Sequence, residues 1–177
     1  MDTMTDTSAT DRADYPAIYL NDHLLGATGG VELARRLASA GTGTAHAGEL
    51  ARLATEVAED RVALLRIMDR LGVTANPLKM AAGWVGEKLG RLKPNGWLAR
   101  RSPLSSLLEL EAMALGVAGK AAGWRSLRAL AEHDGRLDQA ELDRLIKRAD
   151  AQRELIERLR VDAADQALTG RVEIARG

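Results

Sequence analysis

Apolar residues recur along this chain at helical rather than strand spacing. From about residue 16 to 39, Leu20, Leu24, Ala27, Val31, Ala34 and Ala38 form one stripe, the rhythm of an amphipathic helix. From about 46 to 71, Leu50, Val57, Leu64 and Leu71 recur every seven residues, with Leu53 and Ile67 on a companion row. A shorter third helix is predicted over 77–91, with Leu78, Ala81, Ala82, Val85 and Leu89 on one side. The fourth, about 103–132, carries only Glu109, Glu111 and Lys120 before Arg125. Such all-round apolarity predicts a central helix. The fifth, about 138–168, sets Leu142, Leu145, Ala149, Ile156, Leu159 and Ala163 on a seam. Its opposite face is dense in mixed charge, including the i,i+4 pairs Asp143–Lys147 and Glu154–Arg158, and is read as solvated. No segment alternates as a strand does.

Helix boundaries carry their usual residues. Pro16, Pro77 and Pro103 follow Asp14, Asn76 and Ser102 as start signals, because proline fits the first turn and a short polar side chain caps it. Gly72 suits a helix end, and Asp138 with Glu141 has the spacing of a capping box. Gly26, Gly30 and Ala34 repeat every four residues, as do Gly119 and Gly123. Glycine costs about 1 kcal/mol against alanine inside a helix, so these repeats predict either close approach of helix backbones or a kink.

Four long helices with a short one between two pairs predict an all-α fold, a ferritin-like four-helix bundle with a short crossover helix. The bundle is expected over residues 15–170, with tails at 1–14 and 171–177. The segments "IYLNDHLLGATGGVELARRLA", "EDRVALLRIMDRLGV" and "SPLSSLLELEAMALGVAGK" also resemble a group of uncharacterised actinobacterial helical proteins with a ferritin-like fold. That resemblance implies a fold and no activity.

Composition narrows the function. The 25 basic and 25 acidic side chains cancel, which argues against a dedicated nucleic-acid binder. The chain has no cysteine, so disulfides, thiolate catalysis and Cys-type zinc sites are excluded. With no phenylalanine, the core must be built from Leu, Ala, Val and Ile. No stretch of 18 apolar residues predicts a membrane span, and the N-terminal segment does not read as a secretory signal. The cytoplasm is the expected compartment.

The chemistry of related bundles is not written here. Di-iron bundles place Glu-x-x-His on two helices, and no Glu in this chain has a His three residues on. A resemblance to metal-dependent thiol transferases of the four-helix type would need a His-x-x-x-His pair. His133 has Ala129 and Leu137 at those spacings, so that resemblance fails. No nucleophile elbow or phosphate loop occurs.

What remains is a set of polar residues on apolar faces. At about 100° per residue, His23 lies near the centre of the first stripe and Gln152 on the seam of the fifth helix. Asp60 lies at the edge of the second stripe, with Glu56 one turn away. Counting heights along the predicted bundle brings His23, Asp60 and Gln152 to one layer. Lys120 shares the height, but the wheel turns it away. Glu111 points inward but lies roughly 13 Å along the axis. The layer is read as a buried hydrogen-bonded network in which Asp60 holds His23, or as a degenerate metal or small-ligand site with His23 and Asp60 as ligands.

A separate basic stretch, Lys88, Arg91, Lys93, Arg100 and Arg101 with Trp84 and Trp97 nearby, is a candidate anion-binding loop. The expectation is a non-catalytic structural or interaction bundle that self-associates as a homo-oligomer. It needs no cofactor; the alternative is a metal-binding or redox bundle holding a transition metal at His23 and Asp60.

Overall fold

The computed structural model describes residues 15–76 and 102–169. They form four helices: α1 Tyr15–Ala40, α2 Ala47–Arg70, α3 Pro103–Leu130 and α4 Gln139–Thr169. No strand occurs among the described residues. No described helix is long and apolar enough to cross a membrane. The predicted third helix, 77–91, and the basic stretch Lys88, Arg91, Lys93, Arg100 and Arg101 lie outside the described residues, as do both tails.

The predicted stripes become the core. Leu20, Leu24, Val31 and Ala34 are buried on α1, and Leu50, Leu53, Val57, Leu64 and Ile67 on α2. Leu142, Leu145, Ala149, Ile156 and Leu159 are buried on α4. They divide into two apolar clusters at different heights. One joins Leu20 and Leu24 to Ile67, Met68, Trp124, Leu127 and Leu142. The other joins Val31 and Leu37 to Leu53, Val57, Met113, Ile156 and Leu159. The first cluster thus gathers the start of α1, the end of α2, the end of α3 and the start of α4.

That grouping fixes the directions. α1 and α2 form an antiparallel hairpin, and so do α3 and α4. α2 and α3 run parallel, so the chain leaves α2 at one end of the bundle and enters α3 at the other. α1 packs directly on α2 and α3, and α3 on α4. α2 and α4 stand further apart and meet through long side chains. A wide groove of about 950 Å³ opens between them, with Ala58, Val62 and Leu145 in its floor and Arg66, Arg144 and Arg148 along it.

Termini are built from local chemistry. At the end of α2, Gly72 adopts φ +71°, a region that costs other residues about 1–2 kcal/mol. This lets Val73 N–H donate to Met68 O at 2.9 Å and Gly72 N–H to Asp69 O at 3.0 Å, a Schellman motif. Val73 then packs on the first core cluster. Ser102 Oγ accepts from Ser105 N–H at 3.3 Å, ahead of Pro103. Asp138 Oδ1 accepts from Ala140 and Glu141 N–H. The expected capping box is half made. The Glu141 carboxylate turns instead to Arg70 at 2.5 Å.

Three other expectations are corrected. α3 is not enclosed: Leu104, Leu108 and Leu115 are exposed, Leu115 by 78%. Among the described helices α3 packs closely on α1 and α4 and reaches α2 through Lys120. On α4 the pairs made along the helix are Glu157–Arg160 and Asp150–Arg153, not the two i,i+4 pairs read from the sequence. Asp143 takes Arg128 at 3.0 Å and Arg158 takes Glu49 at 2.7 Å, since partners across a helix interface are nearer than the i,i+4 neighbours. The glycine repeats do not bring backbones together throughout. A Cβ at Gly26 or Gly119 would meet nothing within 4 Å, and one at Gly30 only Val57 Cγ1 at 3.9 Å.

Candidate functional site

Between the two apolar clusters lies a charged layer. Asp60 enters it from α2 and Lys120 from α3. Arg148 and Gln152, one turn apart, enter from α4. Asp60 and Gln152 are each only 2% exposed. Burying an ionised carboxylate costs several kcal/mol unless it is paired and hydrogen-bonded, and the layer supplies both. Lys120 Nζ donates to Asp60 Oδ2 and to Gln152 Oε1 at 2.5 Å. Arg148 Nη2 donates to Asp60 Oδ1 and Nη1 to Glu59 Oε2 at 2.8 Å. Gln152 Nε2 donates to Glu56 Oε2 at 2.9 Å and to Asp60 Oδ2 at 3.4 Å. Arg52 flanks Glu56 at 3.7 Å.

Each Asp60 oxygen therefore meets a cation, and Gln152 couples the two acids to the lysine. Burial pulls the Lys120 ammonium below its ordinary pKa, more than the attraction of Asp60 restores, with Arg148 adding to the depression. Closing the ion pair on both sides is what makes the burial tolerable.

The structure joins Glu56, Asp60 and Gln152 in one network and leaves His23 out of it. Asp60 does not hold His23. The imidazole instead meets the Tyr19 ring edge-on, with centroids 4.5 Å apart, and lies over Gly123. A Cβ at Gly123 would stand 2.9 Å from His23 Cε1, so this glycine is the one that makes room. Burial lowers the His23 pKa, and Asp22 only partly opposes it. His23 is thus seated by packing, not by a carboxylate.

Lys120 is the second correction. The wheel turned it away from the apolar arc, but its four-carbon stem carries the ammonium to Asp60. The side chain is only 15% exposed. The legible signal was a lone lysine in a charge-poor helix at the height of an inward-facing acid. Arg148 was hidden among the many charges of α4, and its position one turn before Gln152 was the clue. Glu111 is half-buried, away from the layer.

Both oxygens of Asp60 are paired within the layer, while Arg148 Nε is buried without a hydrogen-bond partner. Asp60 would have to surrender an ion pair to bind a metal. Among the described residues no group of three or more His, Cys, Asp or Glu side chains is placed to share an ion. The other histidines serve the ends. His46 Nδ1 lies 3.2 Å from Glu49 Oε2 and its Nε2 3.7 Å from Asp162; His133 is exposed beyond α3. No protein family, curated protein or solved structure matches the chain, so the reading of its site rests on geometry.

Proposed function

We propose that this protein is a non-catalytic helical bundle of ferritin-like topology, a scaffold or interaction protein that associates with a second copy of itself. The parallel course of α2 and α3, with a long connection between opposite ends, supports the topology. The pairing of Asp60 with Lys120 and Arg148 supports a structural rather than a catalytic interior.

The observation that carries the interaction role is the stripe Leu104, Leu108 and Leu115 on α3, all exposed and within about 40° of one another around the helix. Glu111 shares that side of the helix, about 20° from Leu104, and is half-buried. A row of exposed leucines suits its own copy across a two-fold axis, where the same patch meets itself. The test is light scattering coupled to size-exclusion chromatography, on the wild type and on Leu108→Lys/Leu115→Lys. A dimer or larger assembly that becomes monomeric in the variant is expected. A wild type that stays monomeric across micromolar to millimolar concentration overturns the reading.

A further inference from the structure

Charge is spread unevenly over the bundle. α1 and α3 carry four and five charged side chains, whereas α2 and α4 carry nine and thirteen. Exposed apolar surface is distributed the other way. Of the ten large apolar side chains exposed among the described residues, seven lie on α1 or α3. The four on α3 fall within about 80° of one another around the helix, and the three on α1 within about 100°. They are continuous across the two helices, because Tyr19 of α1 lines one pocket with Leu115 of α3 and a second with Leu130. At roughly 200 Å² for a large side chain fully exposed, these seven present roughly 700 Å² per chain, close to the ~800 Å² that a stable interface takes from each partner.

This face sets a protrusion beside a hole. Leu115, 78% exposed, borders a pocket of about 240 Å³ between α1 and α3. Gly26, Gly116 and Gly119 line the same pocket, and a Cβ on any of them would meet nothing within 4 Å. The space falls short of the range typical of drug-sized ligands, about 300–1,000 Å³, and suits an aliphatic side chain. Of the charges in its lining, Asp60 is paired with Lys120 and Arg148, and Asp22 is exposed. A leucine next to a hole makes a surface self-complementary: a two-fold axis between them places each leucine in the other copy's hole.

We propose that two copies of this chain meet through the whole α1–α3 face, and that Leu115 of each copy enters the glycine-lined pocket of the other. This rests on the self-association proposed above and names the contact that gives it a register. Exposed leucines on α3 alone would join two copies by apolar area at many offsets. A leucine seated in a hole fixes one offset, and it gives the three glycines a role that packing within the chain does not.

The test follows the full chain by light scattering from micromolar to millimolar concentration, as wild type, Gly119→Leu and Gly116→Leu. Each variant fills the pocket, keeps the α3 leucines and adds apolar surface, so a merely apolar contact would hold as tightly or tighter. The expected result is a wild-type dimer whose Kd rises at least tenfold in both variants. A wild-type dimer whose Kd rises less than tenfold in either variant overturns the seated leucine and leaves the self-association standing. A wild type that stays monomeric overturns both. Gly26→Cys gives a second reading that does not depend on how the filled variants fold, because the chain has no other thiol. Its alkylation by iodoacetamide should be blocked at concentrations where the dimer forms and recover on dilution. Equal reactivity at all concentrations overturns the proposal. So does protection that persists in the monomer, the result expected if the chain's own residues 77–101 fill the pocket.

Discussion

His23 and Gly123 form a lock that neither residue reveals alone. The imidazole occupies the volume a side chain at position 123 would need. Gly123→Ala ordinarily gains about 1 kcal/mol of helix propensity, but here it must displace His23. The expected outcome is non-additive: the substitution stabilises in a His23→Ala background and fails to do so in the wild type, as measured by urea unfolding. Equal effects in both backgrounds would mean the ring moves aside freely. The protonation of His23 adds a pH signature. Its folded pKa lies below the ordinary 6.5, so the unfolded chain takes up the proton first as pH falls. The stabilisation is complete above about pH 6.5 and is lost as pH drops below it, until the folded imidazole protonates as well. Urea midpoints between pH 7.5 and 5 should fall more steeply for the wild type than for His23→Gln, and parallel curves would contradict the assignment. The wheel already placed His23 on the inner face. That it contacts a ring and a glycine rather than Asp60 was not legible, because a periodicity gives direction and not the rotamer.

The helices themselves were largely readable. Their stripes fix which faces are buried, and proline, serine, aspartate and glycine mark their ends. Gly72 is the sharpest such mark. Gly72→Ala should cost about 1–2 kcal/mol through its positive φ, and Asp138→Ala about 1 kcal/mol through loss of the α4 cap. A thermal melt unchanged by Gly72→Ala would remove the Schellman ending. Less readable were the partners of charged residues. Glu49 illustrates why: hydrogen bonds from Arg158 and His46 hold its carboxyl at about 2, and Arg158 lies on another helix. Sequence spacing finds neighbours one turn away, whereas α2 and α4 are bridged across a gap by Glu49–Arg158, Glu59–Arg148 and Glu141–Arg70. The open side of α3 was missed for a related reason. A helix that is apolar all round signals burial, but Leu104, Leu108 and Leu115 have no described helix opposite them.

At the scale of the whole molecule, a charged layer separates two apolar clusters and touches three of the four helices. An all-apolar core of Leu and Ala tolerates sliding by a turn. Asp60, by contrast, finds both cations only in one register of α2, α3 and α4. Asp60 and Lys120 also line a cavity of about 240 Å³ between α1 and α3. The height count from the sequence brought Asp60 and Gln152 together because antiparallel hairpins make depth a matter of arithmetic. The count also put Lys120 at that height, but the wheel turned it away, because a long side chain reaches beyond its own helix face; Arg148 was not singled out.

The most direct measurement is a double-mutant cycle on Asp60 and Lys120 by urea unfolding, using Asp60→Leu, Lys120→Met and the pair. Asp60→Leu strands the buried Lys120 ammonium and should cost about 3–5 kcal/mol, whereas Lys120→Met leaves Asp60 with Arg148 and should cost less. The pair removes both charges together and leaves Arg148 with Glu59 and Glu56 with Arg52. It should cost far less than the sum, a coupling of about 2 kcal/mol or more. Costs that add to within about 0.5 kcal/mol would show that the two residues act independently, and would contradict a charged layer that holds the bundle in register.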